Sequence, residues 1–254
     1  LDSAKGITLS NLAATGIEVA YKGTQGDTTI AFAAKATDAT NDAMSISLNG
    51  VGAAKVLKAD GVTEKTAQNN AKITMAKVED VTLKTTGTES FVDLSAMDAT
   101  TLTANGSANL TISAVKDGLT SVDASGLSAN LTANLNGVVK ANSLKSIVTS
   151  TGDDSITANM ASLTANASIA LGEGTDKLTL TGAGATSQYA MSGVETLAVQ
   201  TTTATVFSAK NISGLSTIEI NGTTAGGLSV VNLGAADMTL NTVGTTTGAA
   251  TTLD

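Results

Sequence analysis

A short hydrophobic pattern, h-x-x-h-x-h with h aliphatic, constrains the fold of this chain more than any other feature. It reads Val78-Glu79-Asp80-Val81-Thr82-Leu83, Val194-Glu195-Thr196-Leu197-Ala198-Val199 and Leu215-Ser216-Thr217-Ile218-Glu219-Ile220, with weaker copies at 97–102, 119–122 and 144–147. The starts at 78, 97, 119, 144, 194 and 215 are separated by 19, 22, 25, 50 and 21 residues. One degenerate copy near residue 169 turns every step into a single coil of about 20 to 25 residues, the period of a solenoid. Alternate residues of each copy then point inward and stack on their equivalents in the next coil.

The rest of the chain agrees with stacked strands. Short alternating runs rich in Thr, Val and Ile recur at 28–32, 44–48, 81–85, 109–113, 177–181 and 217–220, each bounded by Gly, Asn, Asp or Ser. There is no proline, so the turns rest on Gly and Asn, which tolerate positive φ. Hydrophobic residues make up 42% of the chain and aromatics only 2%, so the core is built from Val, Ile, Leu and Ala in thin layers. The fold class expected is all-β: a parallel β-solenoid over residues 71–254, preceded by an N-terminal cap or small β-domain over residues 1–70. That first segment carries more Lys, longer gaps in the pattern and a polar stretch at 61–70.

Composition also removes whole classes of chemistry. Cys, His and Trp are absent and all 14 basic residues are Lys, which leaves neither a thiol nucleophile nor a histidine acid–base pair. Zinc and copper sites need imidazole or thiolate ligands, so calcium and magnesium are the metals such a chain can hold. The net charge of −8 is unevenly spread. Residues 1–84 hold nine Lys and nine acids, whereas residues 85–254 hold five Lys against thirteen acids. Without a basic stripe, Arg or stacking platforms, nucleic acid is not an expected partner. No apolar run approaches the length of a transmembrane segment. The first residues, Leu1-Asp2-Ser3-Ala4-Lys5, form no signal peptide and lack an initiator Met, as expected of a segment of a longer chain.

Two acidic, Gly-flanked turns carry the candidate site. Leu171-Gly172-Glu173-Gly174-Thr175-Asp176-Lys177-Leu178-Thr179 follows the calcium-binding nonapeptide G-G-x-G-x-D-x-U-x except at its first position, and Gly152-Asp153-Asp154-Ser155-Ile156 follows its second half. In such a turn the glycines let carbonyls face a cation and the Asp carboxylate closes the oxygen cage. Asp154 and Asp176 lie 22 residues apart, one coil, so the turns are expected to stack with Ca2+ between them. The candidate metal residues are Gly152, Asp153, Asp154, Gly172, Gly174 and Asp176. The alternative is a pair of polar turns in which Asp side chains cap nearby backbone amides. Gly23-Thr24-Gln25-Gly26-Asp27 lacks the full spacing and reads as an ordinary turn.

No catalytic residues are expected. Asp153 and Asp154 are adjacent, so on a strand they face opposite ways and cannot flank one glycosidic bond. The aromatic residues are only Tyr21, Tyr189, Phe32, Phe91 and Phe207, a poor set for a sugar cleft, and no Ser has a nucleophile-elbow context for a Ser–Lys pair.

Val78-Glu79-Asp80-Val81-Thr82-Leu83 followed by Thr85-Thr86-Gly87, then Leu119-Thr120-Ser121-Val122-Asp123-Ala124-Ser125, the two Gly/Asp turns and Gly193-Val194-Glu195-Thr196-Leu197, resemble the β-solenoid regions of Gram-negative surface-layer (S-layer) proteins. Those proteins are related to the RTX proteins of type I secretion, and the resemblance spans about residues 78–223. It implies a secreted, cell-surface structural protein that associates with itself in a two-dimensional lattice. It also implies calcium in the solenoid and at subunit contacts, and an uncleaved C-terminal secretion signal in the parent chain. A cell-surface glycan or lipopolysaccharide anchor would lie in other parts of that parent. No uninterrupted nonapeptide array is present, so one or two local calcium sites are expected. Large Thr/Ala/Gly-rich adhesins share much of this pattern, and a stalk or binding region of an adhesin is the alternative reading.

Overall fold

The computed structural model describes residues 5–37, 39, 41–182, 189–203, 205–221, 228–233, 238–243 and 251–253. It is an all-β, parallel β-solenoid of about 10 turns. One 3-10 turn, Met160–Ser162, is the only helical element among the described residues, and the Asn159 side chain caps it at the Ala161 amide.

Two long parallel sheets form the solenoid walls. Along the first run Ile7–Leu12, Thr28–Phe32, Ala71–Met75, Ser90–Met97, Leu110–Val115, Leu131–Asn134, Ser155–Asn159, Lys177–Gly182, Thr196–Thr201, Thr217–Asn221 and Thr239–Val243. Along the second run Glu18–Lys22, Ala43–Asn49, Asp80–Thr85, Thr101–Gly106, Ser121–Leu127, Leu144–Val148, Leu163–Ala170 and Ala190–Ser192. Near the C-terminus a shorter sheet pairs Thr205–Ser208, Leu228–Val231 and Thr251–Leu253.

Register explains the core. In the second sheet Met44, Val81, Leu102, Val122, Ile147, Ile169 and Met191 pair in sequence, and all seven are buried. In the first sheet Val92, Ile112, Ala133, Ile156, Leu178, Leu197 and Ile218 form the matching buried column. Each coil thus contributes aliphatic side chains from both walls, and burying a Leu or Ile this way is worth about 1.5–3 kcal/mol.

The repeat read from sequence resolves into two series. The copies at 78, 97, 119 and 144 lead into second-sheet strands, and the degenerate copy is Ile169, in register with Ile147. The copies at 194 and 215 lead into Thr196–Thr201 and Thr217–Asn221 of the first sheet. Both walls bury alternate residues, so one pattern fits either, and the 50-residue gap hides a change of wall.

Residue 70 falls between strands of one continuous sheet, since Thr28–Phe32 pairs in parallel with Ala71–Met75. Residues 7–49 therefore carry coils of the same two walls. What sets the first segment apart is an excursion at 53–69, closed at its base by an Ala53–Asn69 bridge. Within it, Val56–Leu57 and Glu64–Thr66 form an antiparallel hairpin.

Candidate metal corner

The two acidic turns lie on one edge of the solenoid, where the chain enters Ser155–Asn159 and Lys177–Gly182 of the first sheet. The register Ser155↔Lys177 brings Asp154 level with Asp176, and the Gly152 amide donates to the Glu173 carbonyl at 3.0 Å. The six sequence-selected residues are therefore gathered on two consecutive coils.

At Gly172 and Gly174 the close approach of the coils requires the absence of a side chain. Both have positive φ, +88° and +142°, and an added Cβ would collide with the Ser150 carbonyl at the first and the Gly152 carbonyl at the second. These glycines fit the nonapeptide spacing, yet their role here is coil-to-coil packing.

Asp154 and Asp176 take inward corner positions in the column that Leu110 and Leu131 occupy in the preceding coils. They are 2% and 1% exposed. Asp153 faces solvent, so the adjacent carboxylates point opposite ways, as strand geometry requires.

Their hydrogen bonds form two ladders running in opposite directions. In the inner ladder each side chain reaches back one coil: Leu131 N–H donates to Asp154 Oδ1 at 2.7 Å, Asp154 N–H to Asp176 Oδ1 at 2.8 Å, and Asp176 N–H to Glu195 Oε2 at 2.8 Å. The outer ladder reaches forward: Asn130 N–H donates to Asn109 Oδ1 at 3.1 Å, Asp153 N–H to Asn130 Oδ1 at 3.0 Å, and Thr175 N–H to Asp153 Oδ1 at 2.9 Å. The same device recurs at the N-terminal coils, where Lys72 N–H donates to Asp27 Oδ1 and Asp42 N–H to Glu79 Oε2. Asp27, at the end of the turn read as ordinary, is thus another such cap. Corner amides that the sheets leave unpaired find acceptors this way.

Asn109, Asn130 and Glu195 belong to the site and were not selected from the sequence. Their signal is spacing: Asn109, Asn130 and Asp153 follow at one-coil intervals, as do Asp154, Asp176 and Glu195.

The second oxygens of Asp154 and Asp176 are buried and have no hydrogen-bond partner. Burial raises the pKa of Asp154, reinforced by the Asp153 charge and opposed by the nearby Thr149 hydroxyl, whose proton goes to the Leu171 carbonyl, and by the Leu131 amide. Burial, opposed by the Asp154 amide and reinforced by the charges of Asp154, Glu195 and Asp153, pushes Asp176 up to about 6. An unpartnered buried carboxylate oxygen demands a proton or a cation.

The fit to calcium is partial. Loop carbonyls that a nonapeptide would turn toward the ion are engaged between coils: Glu173 N–H donates to Ser150 O, Gly152 N–H to Glu173 O, and the Thr149 hydroxyl to Leu171 O. Among the described residues no three carboxylates are grouped to hold a metal. The open protein ligands are the two Oδ2 atoms, and water would supply the remainder of a six- to eight-oxygen shell.

No protein-family model, curated protein or solved structure matches this chain. No helix among the described residues is long and apolar enough to cross a membrane.

Proposed function

We propose that this chain is a structural segment of an extracellular bacterial surface layer, a secreted scaffold that associates laterally with copies of itself. The observation that carries this reading is the pair of continuous aliphatic columns inside a parallel two-wall solenoid. Such a body presents long regular faces and is extended by repetition instead of closing around a substrate. The surface-layer resemblance of residues 78–223 supplies the biological setting, and the acidic excess of residues 85–254 supplies the reason for a cation.

Calcium, in this proposal, enters the corner at Asp154 and Asp176. Its charge offsets two buried carboxylates, and the ion takes the two oxygens that have no partner. Asp153 contributes negative potential from the solvent side. The same cation relieves repulsion between acidic copies and so favours assembly.

Sedimentation velocity in calcium and in chelator tests the reading. Large ordered assemblies in calcium that dissolve in chelator are expected. A monomer in both conditions favours the alternative, an adhesin stalk, which needs length but no lateral contact.

A further inference from the structure

The excursion at 53–69 stands outside both walls and carries an unusual surface for its size. Val62 is 83% exposed, Val56 49% and Leu57 39%, three large apolar side chains on one small hairpin. Asp60 caps the tip by accepting from the Val62 and Thr63 amides, so the hairpin has its own local order. Lys55, Lys58 and Lys65 flank these residues, are exposed, make no ion pair within the described chain, and outnumber the hairpin's own Asp60 and Glu64. Exposed apolar side chains on so small a projection mark an interaction surface, and the excess of lysines favours an acidic counterpart.

An acidic counterpart exists on the same edge of the solenoid. The hairpin base precedes Ala71–Met75, and the exposed carboxylates of Asp153 and Glu173 precede Ser155–Asn159 and Lys177–Gly182 of the same sheet. Strands Ala71–Met75 and Ser155–Asn159 are four rungs apart, about 19 Å at the usual strand spacing. Asp153 and Glu173 also make no ion pair within the described chain.

Two patches of opposite charge, offset along one edge, are self-complementary under a two-fold axis. Two antiparallel copies set edge to edge place each hairpin on the other's acidic corner and make the contact twice. We propose that the 53–69 hairpin docks a second copy of this chain, seating its exposed tip at Val62 beside that copy's acidic corner with Lys55 and Lys58 reaching Asp153 and Glu173 of that copy. This rests on the self-association proposed above and names the surface that performs it.

Charge reversal tests the pairing, with sedimentation equilibrium at fixed calcium as the readout and far-UV circular dichroism confirming the β fold. Lys55→Glu/Lys58→Glu and Asp153→Lys/Glu173→Lys are each expected to weaken self-association about tenfold or more. In a mixed dimer of the two variants both contacts are complementary, one as in the wild type and one with its charges exchanged, so an equimolar mixture is expected to recover affinity. Val62→Asp is expected to weaken association without affecting the fold. A wild-type protein that stays monomeric defeats the self-association reading and this proposal together. A wild type that assembles while the hairpin variants assemble equally well overturns this proposal alone, as does a mixture that recovers nothing.

Discussion

Asp176 Oδ1 accepts the backbone amide of Asp154 one coil earlier, at 2.8 Å, while the Oδ2 atoms of both residues are buried without a partner. One oxygen of each carboxylate holds coils together and the other is held at a cost. That division accounts for the behaviour expected of the corner in acid, in neutral chelator and in calcium.

In the absence of divalent cations, the contribution of Asp176 to stability should rise as pH is lowered. Asp176 has a folded pKa of about 6, above an unfolded value of about 3.9. The native state therefore binds the extra proton between these values, and this contribution falls as pH rises from about 4 to about 6, then levels off. The shift bounds the effect at roughly 3 kcal/mol. Urea unfolding from acid to mildly alkaline pH checks this, and the difference from Asp176→Asn cancels the other carboxylates.

The isosteric pair Asp154→Asn/Asp176→Asn should behave oppositely in chelator and in calcium. In chelator near pH 8 the variant is expected to be more stable by about 1–3 kcal/mol, because the buried charge is gone and the side-chain oxygens still accept their amides. In excess calcium the wild type should regain or exceed that stability through ligand binding. Isothermal titration should show calcium uptake by the wild type and its loss in the variant; equal uptake by both would remove the metal from this corner.

Gly172→Ala and Gly174→Ala should each cost about 2–4 kcal/mol, since the residue must hold a positive φ and its Cβ meets a carbonyl of the preceding coil. Gly16→Ala shares the positive φ but has nothing within 4 Å of its Cβ, so it should cost less. Chemical denaturation of the three variants separates packing from backbone strain.

The register assigns Ile169 to the same buried column as Ile147. Ile169→Ala is therefore expected to cost about as much as Ile147→Ala, in the range of about 2–5 kcal/mol for such truncations. A near-neutral Ile169 variant, measured by the same denaturation, would break the column.

Much of the fold was legible because side-chain alternation and coil length are properties of the chain itself. The run Thr28–Phe32 is bounded as its pattern indicates, and Val81, Leu102, Val122 and Ile147 stack at the expected interval. The wall to which a copy belongs was not legible, because Val81 and Leu83 of one wall and Leu197 and Val199 of the other have the same spacing and enter one shared core, and the burial of Ala198 between the latter pair has no counterpart in the pattern. The hairpin at 53–69 was hidden within a polar stretch, its structure depending on pairing such as Val56↔Thr66. At the corner, the 22-residue interval disclosed that Asp154 and Asp176 stack. Their use as amide acceptors depends on which corner N–H groups the sheets leave over, which spacing alone does not specify.

The central claim, a structural segment that assembles with itself, is tested most directly by electron microscopy of the purified protein with calcium and with chelator. Ordered sheets or regular oligomers are expected in calcium and dispersed particles in chelator. Separate monomeric rods in both conditions would contradict it.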